Sequence, residues 1–158
     1  MTINQDVFRA LLGRFASGIT IVTTVGPDGH DVGMTVSAFA SVSLEPPLAL
    51  VCVAREASVF FEITAAPRIV VNILAEEQEA LSRRFAGPGW DRFDGLGYQR
   101  ASSGAPILDD VLAWCECRVM QRHEAGDHVI LVAEVERGEV RDHRPLLYYR
   151  GGYAQLER

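Results

Sequence analysis

Four short stretches of this 158-residue chain carry side chains that could hold a phosphate-bearing ligand or exchange a proton. Along Thr35, Val36, Ser37, Ala38, Ser41 and Val42, small and hydroxyl-bearing residues recur. Such a segment lets backbone N–H and C=O groups approach a flat ligand closely while hydroxyls meet its polar edge. Cys52, Val53 and Ala54 end an apolar run, and Arg55 and Ser58 follow where a short helix is expected to begin. A helix start beside an Arg and a Ser suits a phosphate, because N–H groups and a guanidinium converge there. Gly126-Asp127-His128 places an imidazole on a turn just before an apolar strand, so a rigid element fixes its backbone while the ring faces a cleft. Tyr149-Arg150-Gly151-Gly152-Tyr153 joins a cation to glycines that permit close backbone approach, a pairing suited to a diphosphate. A plainer reading stays open for each. Ser37, Ser41 and Ser43 are then solvent-facing strand residues, Arg55 a surface charge and His128 a solvated turn residue.

Other chemistries find no motif. Gly87-Pro-Gly89 and Gly95-Leu-Gly97 lack the third glycine and the following helix of a Rossmann fingerprint. No Walker loop, nucleophile elbow or HExxH is present. His123 and His128 flank a turn with Glu124 and Asp127, but surface-turn histidines ordinarily coordinate nothing, so no metal is expected. A net charge of −6 and a pI near 5.2, without a basic run, argue against nucleic acid. No apolar run approaches the ~20 residues that cross a bilayer, and the opening residues lack a signal-peptide pattern. Three cysteines, two of them in a C-x-C on one strand, make a disulfide framework improbable and fit a reducing cytoplasm.

These groups need elements to carry them. Val7, Phe8, Leu11, Leu12 and Phe15 form an apolar stripe that predicts a helix from Asn4 to Gly18. Strands are expected at Ile19–Val25 and Val32–Leu44, joined by a Pro27-Asp28-Gly29 turn. Leu48–Ala54 reads as a strand covered on both sides, Ser58–Ala65 as a short helix, Arg68–Leu74 as a strand and Glu76–Phe85 as a helix. Five glycines and two prolines make Ala86–Pro106 a long loop, of the sort that is usually functional. Strand Leu112–Arg122 alternates, with Ala113, Cys115, Cys117 and Val119 on one face and Trp114, Glu116, Arg118 and Arg122 on the other. A turn at 124–127 and strands Val129–Arg137 and Leu146–Tyr153 complete the chain. Many short strands with few helices, and no linker or repeat, indicate one mainly β domain over residues 1–158, an antiparallel barrel.

Residues Gly33 to Leu48 read GMTVSAFASVSLEPPL, which resembles the G-x-T-x-S-x-F-x-S-V-S-x-x-P-P block of the short-chain flavin reductase family. Gly126-Asp127-His128 is similar to that family's G-D-H motif. Val71-Asn72-Ile73-Leu74 with Gln78, Leu81 and Phe85, Gly104-Ala105-Pro106, and Tyr149 to Tyr153 extend the likeness over almost the whole chain. The resemblance implies a split β-barrel of FMN-binding type, a homodimer with flavin near the subunit interface, and the reductase component of a two-component flavin monooxygenase. It implies FMN or FAD held by the stretches Thr35–Val42, Cys52–Ser58 and Tyr149–Tyr153 and by Phe85, which pattern alone reads as a core aromatic. NADH or NADPH is the implied hydride donor, with His128 beside the nicotinamide. Direct hydride transfer needs alignment rather than a protein nucleophile, so the lack of an acid–base constellation is no objection. Trp90 and Tyr98 in the long loop are candidates to cover a ring. The competing readings are a flavin-binding electron carrier without turnover of free flavin, and a pyridoxamine-phosphate-oxidase-like barrel.

Overall fold

A computed structural model describes residues 1–89 and 91–157. Twelve strands dominate them: β1 (Ser17–Gly18), β2 (Thr20–Val25), β3 (Asp31–Val36), β4 (Phe39–Ser43), β5 (Leu48–Ala54), β6 (Arg68–Ile73), β7 (Tyr98–Arg100), β8 (Pro106–Leu108), β9 (Ala113–Ala125), β10 (His128–Val140), β11 (Leu146–Tyr149) and β12 (Gly152–Gln155). Helices α1 (Gln5–Leu12), α2 (Phe60–Ala65) and α3 (Glu79–Ala86), the last led in by a 3-10 turn at Glu76–Gln78, fill the connections. Seven strands form one antiparallel sheet in the order β3-β2-β6-β9-β10-β5-β4.

That sheet must curl, because residues from both of its halves share one core. Val32 and Val36 of β3 pack with Val51 and Val53 of β5, Leu131 of β10 and Phe60 and Ile63 of α2. The edge strands β3 and β4 are not paired with each other. The result is a mainly β, antiparallel barrel split between β3 and β4. A second cluster, outside the barrel, joins Ile19 and Ile21 to Leu74, Phe85, Leu108 and Leu146. The three-stranded sheet β1-β11-β12 and the β7-β8 hairpin flank it.

Several expectations are corrected here. The strands covered on both faces are β2, buried from Thr20 to Thr24, and β6, whose Ile69, Val70, Val71 and Asn72 are all buried, and not β5, which alternates. The segment 101–108 supplies the second cover over β6. Buried Asn72 accepts from Leu108 N (2.9 Å) and donates to Ile21 O (3.0 Å), and Thr23 Oγ1 donates to Pro106 O (2.6 Å). The same cover buries Glu116, which lies on the face opposite Cys115 and Cys117 as the alternation placed it. Burial by itself raises its carboxyl, but bonds from Ser102 Oγ and Ser103 N prevail and hold it below the usual range. Arg122 changes sides. A bulge at Met120 brings Arg122 opposite Leu131, on the core-facing side, where it caps the end of α2 through Thr64 O and Ala66 O.

The first helix stops at Leu12 rather than Gly18, with Asn4 capping it through Val7 N at 2.9 Å. Its apolar stripe is left exposed, Phe15 most of all. The expected strand Val32–Leu44 breaks at Ser37-Ala38. Leu146–Tyr153 folds back on itself at Arg150 and Gly151, both at positive φ (54° and 77°). The long loop contains β7, and α2 begins at Phe60, two residues past Ser58.

Candidate functional site

A cleft of about 400 Å³ opens where the ends of β3 and β5 meet α3 and the loop after it. Thr35, Ala54, Ser58, Phe85, Gly87 and Arg92 line it. The backbone explains its shape. Gly33 lies directly over Phe85, and a Cβ there would meet Phe85 Cε1 at 2.8 Å and Phe93 Cζ at 3.1 Å. Phe85 in turn meets Phe93 edge-on, with ring centroids 5.0 Å apart, and is 1% exposed. Sequence periodicity read Phe85 as a core aromatic, and its ring is packed as one while its edge borders the cleft. Thr35 Oγ1 donates to Ser82 O (2.7 Å), and Ser82 Oγ bonds Tyr153 Oη at 2.8 Å. Tyr153 therefore braces α3 from behind the cleft, with the Arg83 guanidinium over its ring.

Arg92 is the cation of this cleft. Its Nη1 donates to Gly33 O (2.7 Å), and its Nη2 to Gly87 O (2.7 Å) and Ser58 Oγ (3.3 Å). Among the described residues no carboxylate forms a salt bridge with it, and its Nε is buried without a partner. Loss of water lowers its pKa from the free value. Arg84 holds the turn that carries Arg92 in place by donating to Asp91 O and Asp94 O.

One strand away, β10 begins. His128 stands opposite Ala54, a residue of the cleft wall, so ring and cleft are adjacent. Gly126 takes the left-handed conformation (φ 63°) that closes the β9-β10 turn. Arg55 N donates to Asp127 O (2.9 Å), Arg55 Nε to Gly126 O (3.3 Å), and its guanidinium pairs with Glu124 at 3.2 Å. Asp127 Oδ1 lies 2.7 Å from His128 Nδ1, and that hydrogen bond lowers the Asp127 pKa below the usual carboxylate value. An ionised Asp127 assigns the proton to Nδ1. A neutral His128 then presents Nε2 as an acceptor, suited to an amide N–H of a ligand.

The structure thus brings Thr35, Ala54, Ser58 and Phe85 into one cleft and sets His128 beside it. Val36 and Val53 are adjacent in the chain to these residues but point into the barrel core, leaving only their backbone for a ligand. Ser37, Ala38, Ser41 and Val42 are exposed along the split edge. Cys52 is half-buried on the outer face, its thiol pushed up by burial. Arg55 pairs with the hairpin and also lies over the ring of Phe60, the first residue of α2, 5.8 Å from its centroid, rather than beside a helix start at Ser58. Tyr149, Arg150, Gly151 and Gly152 lie on the separate three-stranded sheet, with Arg150 N bonded to Gly13 O (2.9 Å). Tyr98 bonds Asp31 (2.8 Å) in a neighbouring cleft of about 600 Å³, and Trp90 lies outside the described residues. Arg92 went unnoticed in the sequence. The only signal was a cation, Asp91-Arg92-Phe93, inside a Gly/Pro-rich loop without periodicity.

With this geometry in view, residues 12–157 match the model of the flavin reductase like domain. The chain belongs to the flavin reductase-like family. It is 40% identical over 152 residues to a flavin reductase of Pseudomonas putida, covering 96% of this chain and 89% of that protein. It is also 40% identical to the reductase subunit HsaB of a flavin-dependent monooxygenase from Rhodococcus jostii, over 95% of this chain and 77% of that one. Among solved structures, the NADH:FAD oxidoreductase SgcE6 of Streptomyces globisporus in complex with NAD and FAD fragments superposes with a TM-score of 0.91 at 33% identity. That match covers 99% of this chain and 97% of the other.

Proposed function

We propose that this chain is an NAD(P)H:flavin oxidoreductase that supplies reduced FMN or FAD to a partner monooxygenase. The observation that carries the reading is the cleft of Thr35, Ala54, Ser58, Phe85 and Arg92 with His128 one strand away. Its groups fit a flavin nucleotide: a guanidinium without an ion-pair partner among the described residues and a hydroxyl for the phosphate, and small residues where a flat ring approaches backbone. Bound flavin supplies the hydride acceptor, and the nicotinamide supplies the hydride. The chain's own task is to orient both. Ala54 and the backbone of Val36 and Val53 leave room at the ring. Thr35, bonded to α3, keeps the cleft wall in place. His128 Nε2 accepts from the carboxamide of the nicotinamide while Asp127 fixes the imidazole.

The working unit proposed is a homodimer. The outer faces of β5 and β10 present half-buried Leu50, Cys52, Ile130 and Val132 with no element over them among the described residues. Leu44 and Phe61 are largely exposed. A second copy over this area would cover them and bring the Ser37–Val42 edge or the Arg150 turn of one protomer towards the cleft of its partner. Among the described residues no helix is long and apolar enough to cross a membrane, and the free cysteines fit the cytoplasm as the proposed compartment.

The test is NADH and NADPH oxidation by protein passed through flavin-free buffer. Activity that appears only on adding FMN or FAD, with affinity in the micromolar range (about −8 kcal/mol), is expected. Flavin retained stoichiometrically through gel filtration, with no turnover of added flavin, would establish the electron-carrier reading instead.

A further inference from the structure

We propose that Cys115 and Cys117 form a redox site, a dithiol that hydrogen peroxide oxidises to a reversible disulfide. The residues assigned to flavin and nicotinamide leave this C-x-C unused. Both side chains fall on one face of β9, and Cys117 Sγ donates to Cys115 Sγ at 3.5 Å. Cys117 is buried in the barrel core, while Cys115 is only partly buried. Across from Cys115 on β10 stands Gly138, exposed and without a side chain to cover the thiol. A side chain there is barred, since a Cβ would meet Trp114 O at 2.6 Å. One thiol is therefore open to a small oxidant, with the other in reserve behind it. The source of that oxidant rests on the flavin-reductase reading. Reduced flavin not taken up by a partner passes two electrons to O2, giving oxidised flavin and hydrogen peroxide.

The hydrogen bond from Cys117 lowers the Cys115 pKa from the free value, and the same bond, with burial behind it, pushes the Cys117 thiol up. Cys115 is accordingly the nucleophile, because the thiolate is what attacks peroxide. Its Sγ takes one peroxide oxygen, the O–O bond breaks, and hydroxide leaves to collect a proton as water. Cys117 Sγ then attacks the sulfenic acid of Cys115, the S–O bond breaks, and the second water leaves with the Cys117 proton. Two thiols lose two electrons, and one peroxide becomes two waters. Residues i and i+2 of a strand stand about 6.6 Å apart at Cα, at the upper edge of the ~4.4–6.8 Å that a disulfide spans. Closure therefore contracts β9 about Glu116. A bond strained in this way is readily reduced, the property of a transient disulfide rather than a structural one. Glu116 is also the residue that holds the 101–108 segment over β6, through Ser102 Oγ and Ser103 N. Oxidation thus loosens the cover that Asn72 and Thr23 otherwise seat.

The test treats the reduced, flavin-free full chain with hydrogen peroxide. It uses no flavin or nicotinamide, so its failure leaves the flavin-reductase reading untouched. Thiols counted after unfolding should fall from three to one, that of Cys52, with the chain about 2 Da lighter. Peptide mapping should place the link between Cys115 and Cys117, and dithiothreitol should restore all three thiols. In Cys117→Ser the reaction should stop at the sulfenic acid of Cys115, trapped by dimedone. Cys52→Ala should form the same link as wild type, which separates it from a bond between copies. The oxidised chain should melt roughly 2–8 °C below the reduced one. Should Cys117→Ser fail to fold, the wild-type thiol count and peptide map decide the matter. Three thiols remaining after peroxide, a link through Cys52, or sulfinic acid at Cys115 with Cys117 still free would overturn the assignment. A disulfide formed with unchanged Tm would overturn its coupling to the 101–108 cover.

Discussion

The cleft around Arg92 and the hairpin corner around His128 share a wall at Ala54, yet they are built in opposite ways. In the cleft, Gly33, Phe85 and Phe93 are packed to contact, and the cation has no counter-charge among the described residues. At the corner the groups are largely exposed and already paired: Arg55 with Glu124, Asp127 with His128. A packed, uncompensated site gains by binding an anion. An exposed, compensated one gains little from a new charge but can orient a ring. The difference teaches that nearness in sequence to a hydroxyl is a poor guide to which arginine serves a phosphate. What matters is which charge the fold leaves unanswered.

The largest effect that sharpens this contrast is expected from Gly33→Ala. The new methyl would meet Phe85 and Phe93 closer than packing allows and would push on the carbonyl that holds Arg92. Overpacking of this kind costs about 1–3 kcal/mol, so Tm should fall by roughly 2–10 °C, with weakened flavin binding alongside. Calorimetry and a flavin titration check both parts, and an unchanged Tm would show that the cleft is softer than described. Arg55→Ala should do least. Its ion pair with Glu124 is exposed and screened, worth under about 1 kcal/mol, so stability should barely move and flavin affinity should drop less than on loss of Arg92. A drop larger than that of Arg92→Met would reverse the roles of the two regions.

Much of the barrel was legible because strand alternation and turn residues report on burial directly. Leu48–Ala54 and Arg68–Ile73 both form strands as their apolar runs require. Which of them is covered twice was not legible, since the cover over β6 is a loop that docks through Asn72 and Thr23, polar residues without periodicity. The bulge at Met120 defeated alternation in the same way, sending Arg122 to the core-facing side. At the site, Thr35, Ala54, Ser58 and Phe85 come together as motif resemblance implied, and His128 lies beside them. The Arg150 turn is on another sheet. Arg92 was hidden because a loop position gains its meaning only from three oxygens contributed by residues 5, 34 and 59 positions away.

The division of labour between the two regions is tested most directly by steady-state kinetics of His128→Ala, with flavin and NAD(P)H varied in turn. Loss of one hydrogen bond to the nicotinamide, worth ~0.5–1.5 kcal/mol, should raise KM for NAD(P)H or lower the rate of hydride transfer by about 2- to 13-fold. Flavin affinity should stay within about twofold of wild type. Wild-type NAD(P)H kinetics in that variant, or a loss of flavin affinity equal to that of Arg92→Met, would contradict the account.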